Sequence, residues 1–152
     1  MLISKNWLAD HLDLTGLSNP DFDDILTFAG VEVEGLSEQG VSTDSVVVAR
    51  IVQTEQHPNA DRLSVTQVDA GEGELRQIVC GAKNYRVGDK VPCALPGAEL
   101  PGGFTIGETL MRKIESRGML CSEVELGLGT DHSGLMILPP EWEIGKPLHH
   151  FV

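Results

Sequence analysis

The sequence has few features of a disulfide-stabilised, secreted or membrane-spanning protein. Its three cysteines are odd in number, lie far apart and form no Cys-x-x-Cys pair, so they predict neither a disulfide framework nor a zinc ribbon. No apolar run approaches the roughly 18 residues that a transmembrane helix requires. The first residues carry one lysine and then acidic residues, where a signal peptide would have its apolar core. We therefore expect reduced thiols, no membrane partner and a cytoplasmic location.

Motifs of nucleotide-dependent and nucleophilic enzymes are also missing from these 152 residues. The sequence contains no P-loop, no glycine-rich dinucleotide fingerprint and no acid/base pair at a convincing spacing. His57 and Asp61 are of residue types that serve as metal ligands or as acid/base groups. A turn made rigid by Pro58 explains the presence of both without such a role. The candidate zinc ligands, none of which has a partner at ligand spacing, are His57, Cys80, Cys93, Cys121 and His132. We predict no catalytic residue, no metal and no cofactor within this stretch.

Basic residues are the scarcer charged type, which argues against a broad polyanion-binding surface. Eleven Lys and Arg residues stand against 23 Asp and Glu residues, for a net charge of −12 at pH 7. The imbalance is uneven along the chain. Residues 1–40 hold one Lys and eight acidic residues, whereas residues 83–117 hold six basic and four acidic residues. Any contact with a polyanion should therefore be local, weak and sensitive to salt.

The N-terminal part, residues 1–40, reads as a small α/β piece. Ser4 predicts the start of one helix, and Asn19 as N-cap followed by proline predicts the start of a second. We expect each helix to bury one apolar face, made of Trp7, Leu8, His11 and Leu12 in the first and Phe22, Ile25, Leu26 and Ala29 in the second. Apolar and acidic residues alternate over 31–36 and predict a strand, and residues 37–45 predict a linker.

The larger part, residues 41–152, is typical of a small closed sheet. Runs rich in β-branched residues alternate with Gly and Pro clusters and predict strands over 46–56, 63–70, 75–80, 91–95, 104–114 and 134–139. About five strands in roughly 100 residues favour a five-stranded OB-type Greek-key barrel, with an SH3-like barrel as the alternative. The predicted fold is therefore mainly β (α+β), with the small α/β piece as an appendage.

Two short basic clusters are the candidate binding residues. The loop from Lys83 to Arg86 places the only tyrosine of the sequence between two cations. In such a combination the aromatic ring can stack on a nucleic-acid base while the cations contact phosphate. The second cluster lies at a predicted strand end. A solvated loop with Tyr85 packed on the barrel, or a solvated strand end, explains the same residues. The candidate contacts are Lys83, Asn84, Tyr85, Arg86, Arg112, Lys113, Ser116, Arg117 and Met119.

Several longer runs carry a family resemblance: SxxWLxxHLDL at 4–14, HPNADRL at 57–63, IVCGAKNYRVGDKVPCALPGAELPGG at 78–103, IESRGMLCSEVELGL at 114–128 and DHSGLMILP at 131–139. Together they resemble the N-terminal region of the bacterial phenylalanyl-tRNA synthetase β chain. That region comprises a small α/β piece and a tRNA-binding domain similar to the EMAP-II group. The family's usual Arg-Gly-Val-x-Ser is here Arg-Lys-Ile-Glu-Ser, residues 112–116. The lysine suggests that backbone flexibility is not needed at this position.

The resemblance implies a non-catalytic, tRNA-binding part of a heterotetrameric class II ligase that uses ATP and Mg²⁺. The implied partners are tRNA, the remaining β-chain domains and the α subunit. The net charge favours a different hypothesis, in which the barrel is an interdomain docking or scaffold module with little affinity for RNA. A third hypothesis is a free-standing tRNA-binding chaperone.

Overall fold

The N-terminal unit of the chain contains two short helices. The structure is a computed structural model that describes residues 1–37 and 40–151, and the chain divides into two compact units, Met1–Glu38 and Gln39–Val152. Helix α1 spans Lys5–Ala9 and helix α2 spans Asn19–Phe28. Residues 38 and 39, part of the predicted linker, lie outside the described residues.

Serine side chains cap both helices. The Ser4 hydroxyl accepts a hydrogen bond from the Trp7 N–H, as predicted. At α2 the cap is Ser18 and not Asn19. The Ser18 hydroxyl accepts from the Asp21 N–H, and the Asp21 carboxylate accepts from the Ser18 N–H. This reciprocal pair satisfies two N–H groups at once, which explains why the helix begins one residue earlier than the Asn-Pro signal predicted.

Two predictions for this unit were wrong. Residues 31–37 form no strand, because the described part of the unit offers no second strand to complete a ladder. Neither helix contains a buried residue, and the side chains of Trp7 and Ile25 are 57% and 51% exposed. Two helices of five and ten residues provide too little surface to bury an apolar face on each other.

The second unit is built on a five-stranded antiparallel sheet. The strands of this sheet are β1 Val46–Gln56, β2 Ser64–Asp69, β3 Leu75–Cys80, β4 Lys90–Ala94 and β9 Met119–Leu120. They lie in the order β3-β2-β1-β4-β9. Strand β4 therefore lies beside β1 and not beside β3, which is the Greek-key arrangement. Two small hairpins complete the unit, β5 Glu99–Leu100 with β6 Phe104–Thr105, and β7 Glu108–Met111 with β8 Ile114–Arg117.

Strand β1 serves two partners and thereby curves the sheet. Its first half pairs with β4 and its second half with β2, and the register with β2 shifts between Ile51 and Gln53. Such an irregularity bends a strand and increases its twist. The first four residues are buried and the last five are exposed, so β1 passes through the barrel and emerges at its rim. The predicted mainly β, nearly closed OB-type barrel is confirmed.

Two of the predicted strands differ in the structure. The segment 104–114 is divided between β6, β7 and the first residue of β8, because its first residues pair with β5 and its later residues form their own hairpin. The segment 134–139 forms only an isolated bridge between Leu138 and Lys90. A second isolated bridge joins Pro147 to Val47, so the C-terminal tail lies along the first strand. A short 3₁₀ helix, Leu148–His150, follows this bridge near the end of the described residues.

Alternate residues of β1 enter two hydrophobic clusters. Val47, Ala49 and Ile51 belong to one cluster, and Val46 and Val48 belong to the other. This division follows from the two-residue period of a strand. The three cysteines are free and buried in these clusters. None of the described helices has the length and apolar character that crossing a membrane requires.

Candidate nucleic-acid interface

The loop that follows β1 is held rigid by hydrogen bonds. At the end of the β1–β2 ladder, Gln56 lies opposite Ser64. The His57 N–H donates to Leu63 O at 3.0 Å, which closes the loop. The Gln56 side-chain amide donates to three backbone carbonyls of the same loop, at distances of 2.9 to 3.2 Å. The loop therefore provides a rigid support for the residues around it.

His57 is buried in this loop, with only 2% of its surface exposed. Its Nδ1 accepts a hydrogen bond of 3.0 Å from the Asn59 N–H. A neutral imidazole then carries its proton on Nε2. Nε2 lies 2.8 Å from Met111 O and donates to it. The Asn59 side-chain amide donates to the next carbonyl, Arg112 O, at 2.9 Å. These two side chains therefore bind the tip of the β7–β8 hairpin.

The hairpin tip is a two-residue turn made of two cations. Met111 pairs with Ile114, and between them Arg112 and Lys113 have φ angles of 52° and 71°. Two positive φ angles in a two-residue turn are typical of type I′, which favours Asn or Gly. The suggestion that lysine replaces glycine here because the backbone needs no special freedom was wrong. Lys113 adopts the left-handed conformation that glycine favours, at a cost of about 1–2 kcal/mol.

The first basic cluster lies along the same end of the β1–β2 ladder. The Lys83 ammonium donates to the Ser64 hydroxyl at 2.7 Å. The Tyr85 ring is half-buried against the first hydrophobic cluster, and its hydroxyl lies 3.2 Å from the Thr54 hydroxyl on β1. Since Ser64 lies opposite Gln56, next to His57, these contacts bring Lys83 and Tyr85 to the rim that also carries the hairpin tip. We call Lys83, Tyr85, Arg112 and Lys113 the basic rim.

Asn84 and Arg86, the other two residues of this loop, have different surroundings. The Asn84 side chain donates to Leu135 O and accepts from the Leu135 N–H, both at 2.9 Å. It therefore imitates a backbone bridge that holds the loop against the C-terminal segment. Arg86 is exposed, and its N–H donates to the Asp89 carboxylate at 2.9 Å. The guanidinium of Arg86 remains open to solvent, whereas the amide of Asn84 is bound to the backbone of Leu135.

The remaining predicted contacts lie away from the rim. Ser116 is buried, and its hydroxyl accepts from the Val79 N–H and donates to Gly118 O, both at 3.1 Å. Arg117 ends β8, about 10 Å of strand from the hairpin tip, and its guanidinium donates to Leu75 O at 3.3 Å. Met119 packs against the second hydrophobic cluster. Arg112 and Lys113 thus lie at the same end of the β1–β2 ladder as Lys83, whereas Ser116, Arg117 and Met119 lie away from it.

Ion pairs leave the hairpin tip free. Within residues 1–37 and 40–151, the pairs join Arg76 to Glu72, Lys146 to Glu143 and His149 to Asp44. Arg112 and Lys113 are exposed and take part in none of these. Their charges are therefore available to an anionic ligand.

One group of side chains in the described part of the chain resembles a metal-ligand set. Potential ligand atoms of Asp44, His149 and His150 lie within 4.8 Å of one another. His149 Nε2 lies 2.6 Å from a carboxylate oxygen of Asp44, a distance that a hydrogen bond explains. Asp44 and His150 are exposed. We assign no metal to this group.

The geometry of the barrel agrees with a family match. Residues 46–147 match the family described as a putative tRNA binding domain, which covers about two thirds of the chain. The chain belongs to this family. The match begins at the first residue of β1 and ends at Pro147, which bridges to Val47. The family domain is therefore the barrel together with the tail that lies along its first strand.

Whole-chain relatives are β subunits of a synthetase. The chain is 53% identical over 148 residues to the phenylalanine–tRNA ligase β subunit of Anaeromyxobacter dehalogenans, which covers 97% of this chain and 18% of that subunit. It is 48% identical over 152 residues to the Dechloromonas aromatica subunit, covering 100% of this chain and 19% of that one. The chain thus spans about a fifth of the length of these relatives. The resemblance stated from the sequence runs is confirmed.

Solved structures share the fold at lower sequence identity. The C-terminal domain of Plasmodium vivax p43 superposes with a TM-score of 0.51 and 21% identity, covering 71% of this chain and 61% of that one. A MetRS related protein from Pyrococcus horikoshii gives a TM-score of 0.51 and 21% identity, covering 68% and 87%. At this identity the likeness concerns the fold.

Proposed function

We propose that this chain is the tRNA-binding part of a phenylalanine–tRNA ligase β subunit and that the basic rim is its contact with tRNA. The observation that carries the proposal is the pair of exposed cations at the β7–β8 tip, in a barrel of the tRNA binding family. They take part in no ion pair of the described residues and lie at the same end of the β1–β2 ladder as Lys83 and the half-buried Tyr85. Arg112 and Lys113 contact phosphates, and the exposed part of the Tyr85 ring stacks on an unpaired base.

The other parts of the synthetase carry the catalytic activity in this proposal. Aminoacylation with ATP and Mg²⁺ takes place outside this stretch, in the remaining β-chain domains and the α subunit, which are its partners. The chain works in the cytoplasm, and residues 1–40 and 41–152 act as separate domains. The barrel supplies affinity for tRNA and no catalytic group.

The electrostatics of the chain predict a modest contact. Each neutralised phosphate contributes about 0.7–0.9 to the slope of log affinity against log salt concentration, so contacts from Arg112 and Lys113 give a slope of about −1.4 to −1.8. The net charge of −12 opposes the approach of a polyanion. Binding should therefore be seen at low salt and become weak near physiological salt.

Charge-matched double substitutions test this proposal. R112A/K113A removes the rim pair, and R50A/K146A removes two exposed cations elsewhere on the barrel. In a fluorescence-anisotropy titration with tRNA(Phe) at low salt, the first variant should lose about tenfold in affinity. The second should lose clearly less than the first, because its charges contact no phosphate and act on tRNA only at long range. Equal losses in both variants, or no binding by the wild-type chain, would overturn the proposal.

A scaffold role is the second candidate function. It is favoured by the negative net charge and by the use of the Lys83 and Asn84 side chains in hydrogen bonds within the barrel. In this case the barrel contacts other domains of the synthetase and not tRNA. The complete enzyme carrying R112A/K113A would then show unchanged tRNA affinity and unchanged aminoacylation. The tRNA-binding function instead predicts a raised KM for tRNA with little change in kcat.

A further inference from the structure

The turn formed by His57, Pro58 and Asn59 lies beneath the basic rim and has no role in the proposed contact itself. We infer that His57 and Asn59 are positioning residues, which fix the backbone of the β7–β8 tip and so present Arg112 and Lys113 to RNA. This inference rests on the proposed function.

Two consecutive carbonyls of the hairpin tip each accept one hydrogen bond from this turn. The imidazole of His57 donates to Met111 O at 2.8 Å, and the amide of Asn59 donates to Arg112 O at 2.9 Å. The donors and acceptors lie more than 50 residues apart in sequence. A third bond, from the Asn59 N–H to His57 Nδ1, fixes the tautomer that lets Nε2 donate. The bond that orients the imidazole therefore lies within the turn itself.

The hairpin tip needs such support because of its backbone conformation. Both central residues have positive φ and neither is glycine. Each left-handed residue costs about 1–2 kcal/mol, so conformations in which Arg112 and Lys113 return to negative φ lie close in free energy. In such conformations Met111 O and Arg112 O would not keep their directions toward His57 and Asn59. The two hydrogen bonds therefore oppose the movements that the strained turn favours.

Loss of this support should weaken RNA binding without removing a charge. A hairpin tip that exchanges between conformations must be ordered again when RNA binds, and this cost reduces affinity. The pair Arg112 and Lys113 would still be present but would point at phosphates for only part of the time. The effect should therefore depend on the presence of the two cations.

Substitutions at the turn separate its two hydrogen bonds. Asn59→Ala removes the bond to Arg112 O from an exposed residue, so the variant should fold. At position 57, the amide nitrogen of Gln reaches the place of Nε2, whereas the amide oxygen of Asn reaches the place of Nδ1. H57Q thus keeps the donor to Met111 O and H57N loses it. H57N and N59A should each lose three- to tenfold in tRNA affinity, and H57Q should remain within about twofold of the wild type.

A double-mutant cycle then distinguishes positioning from a general loss of structure. N59A is measured alone and in the R112A/K113A background by anisotropy, with thermal unfolding measured in parallel. Positioning predicts that N59A lowers affinity only when Arg112 and Lys113 are present. An equal loss in both backgrounds would overturn the inference, and so would normal affinity of N59A and H57N when R112A/K113A is impaired. Failure of R112A/K113A itself to reduce affinity would overturn the proposed function, and the inference with it.

Discussion

Replacement of Lys113 by glycine should make the protein more stable while it binds RNA less well. Lysine at φ 71° costs about 1–2 kcal/mol relative to a right-handed conformation. Glycine removes this cost but gives the unfolded chain additional freedom, which offsets about 0.4–1 kcal/mol. The net expectation for K113G is an increase of about 1 kcal/mol in the free energy of unfolding, or roughly 2–4 °C in Tm for a chain of this length.

Alanine at the same position is the matched control. K113A also removes the charge, but it keeps a side chain in the left-handed conformation and should stay within about 0.5 kcal/mol of the wild type. Both variants should lose similar tRNA affinity and should show a salt dependence that is shallower by about one phosphate contact.

Two assays check these values. Urea unfolding gives the free-energy difference between K113G and K113A, and anisotropy with tRNA(Phe) at several salt concentrations gives affinity and slope. If K113G were no more stable than K113A, the left-handed backbone would not be what strains this turn. If both variants bound tRNA as the wild type does, Lys113 would make no phosphate contact.

Other features of the barrel give further predictions. Burial raises the pKa of the Cys93 thiol from 9.0 to about 12, so the folded protein holds this proton where the unfolded chain releases it. Stability from this group is complete below pH 9 and is lost as pH rises further, by about 1.4 kcal/mol between pH 8 and pH 10. Urea unfolding at both pH values should show a smaller decrease for C93A than for the wild type, and equal decreases would contradict the assigned burial effect. N84A removes both bonds to Leu135 and should lower the free energy of unfolding by about 1–3 kcal/mol without changing the salt dependence of tRNA binding. A changed salt slope would instead place Asn84 in the RNA contact.

The fold could be predicted where local residues decide the structure. The run over 46–56, rich in β-branched residues, indicated a strand with the bounds that β1 has. The strands predicted over 63–70 and 75–80 match β2 and β3 to within one residue. Ser4 indicated the first helix cap. In each case the decisive interactions lie within a few residues of each other, so they leave a pattern in the sequence.

The candidate site was only partly predictable, because its arrangement depends on distant contacts. Lys113 is an ordinary surface lysine in sequence, and only its pairing geometry reveals a left-handed backbone. In sequence, Ser116 and Asn84 resemble residues that contact RNA. In the structure their side chains form hydrogen bonds with the backbone of Val79 and Leu135, within the barrel. The role of His57 toward Met111 was missed, since no local signal connects residues that far apart. The HPN run indicated a rigid turn but not the partner that it binds.

The first and last segments of the chain in the barrel domain lie side by side. Val47 bridges to Pro147, and the imidazole of His149 meets the carboxylate of Asp44. A polypeptide that enters this domain therefore leaves it within a few ångströms of the entry point. A domain of this kind can be inserted into a longer protein at little cost in loop-closure entropy. The sequences on either side stay adjacent whether the roughly one hundred residues between them are present or are replaced by a short connection.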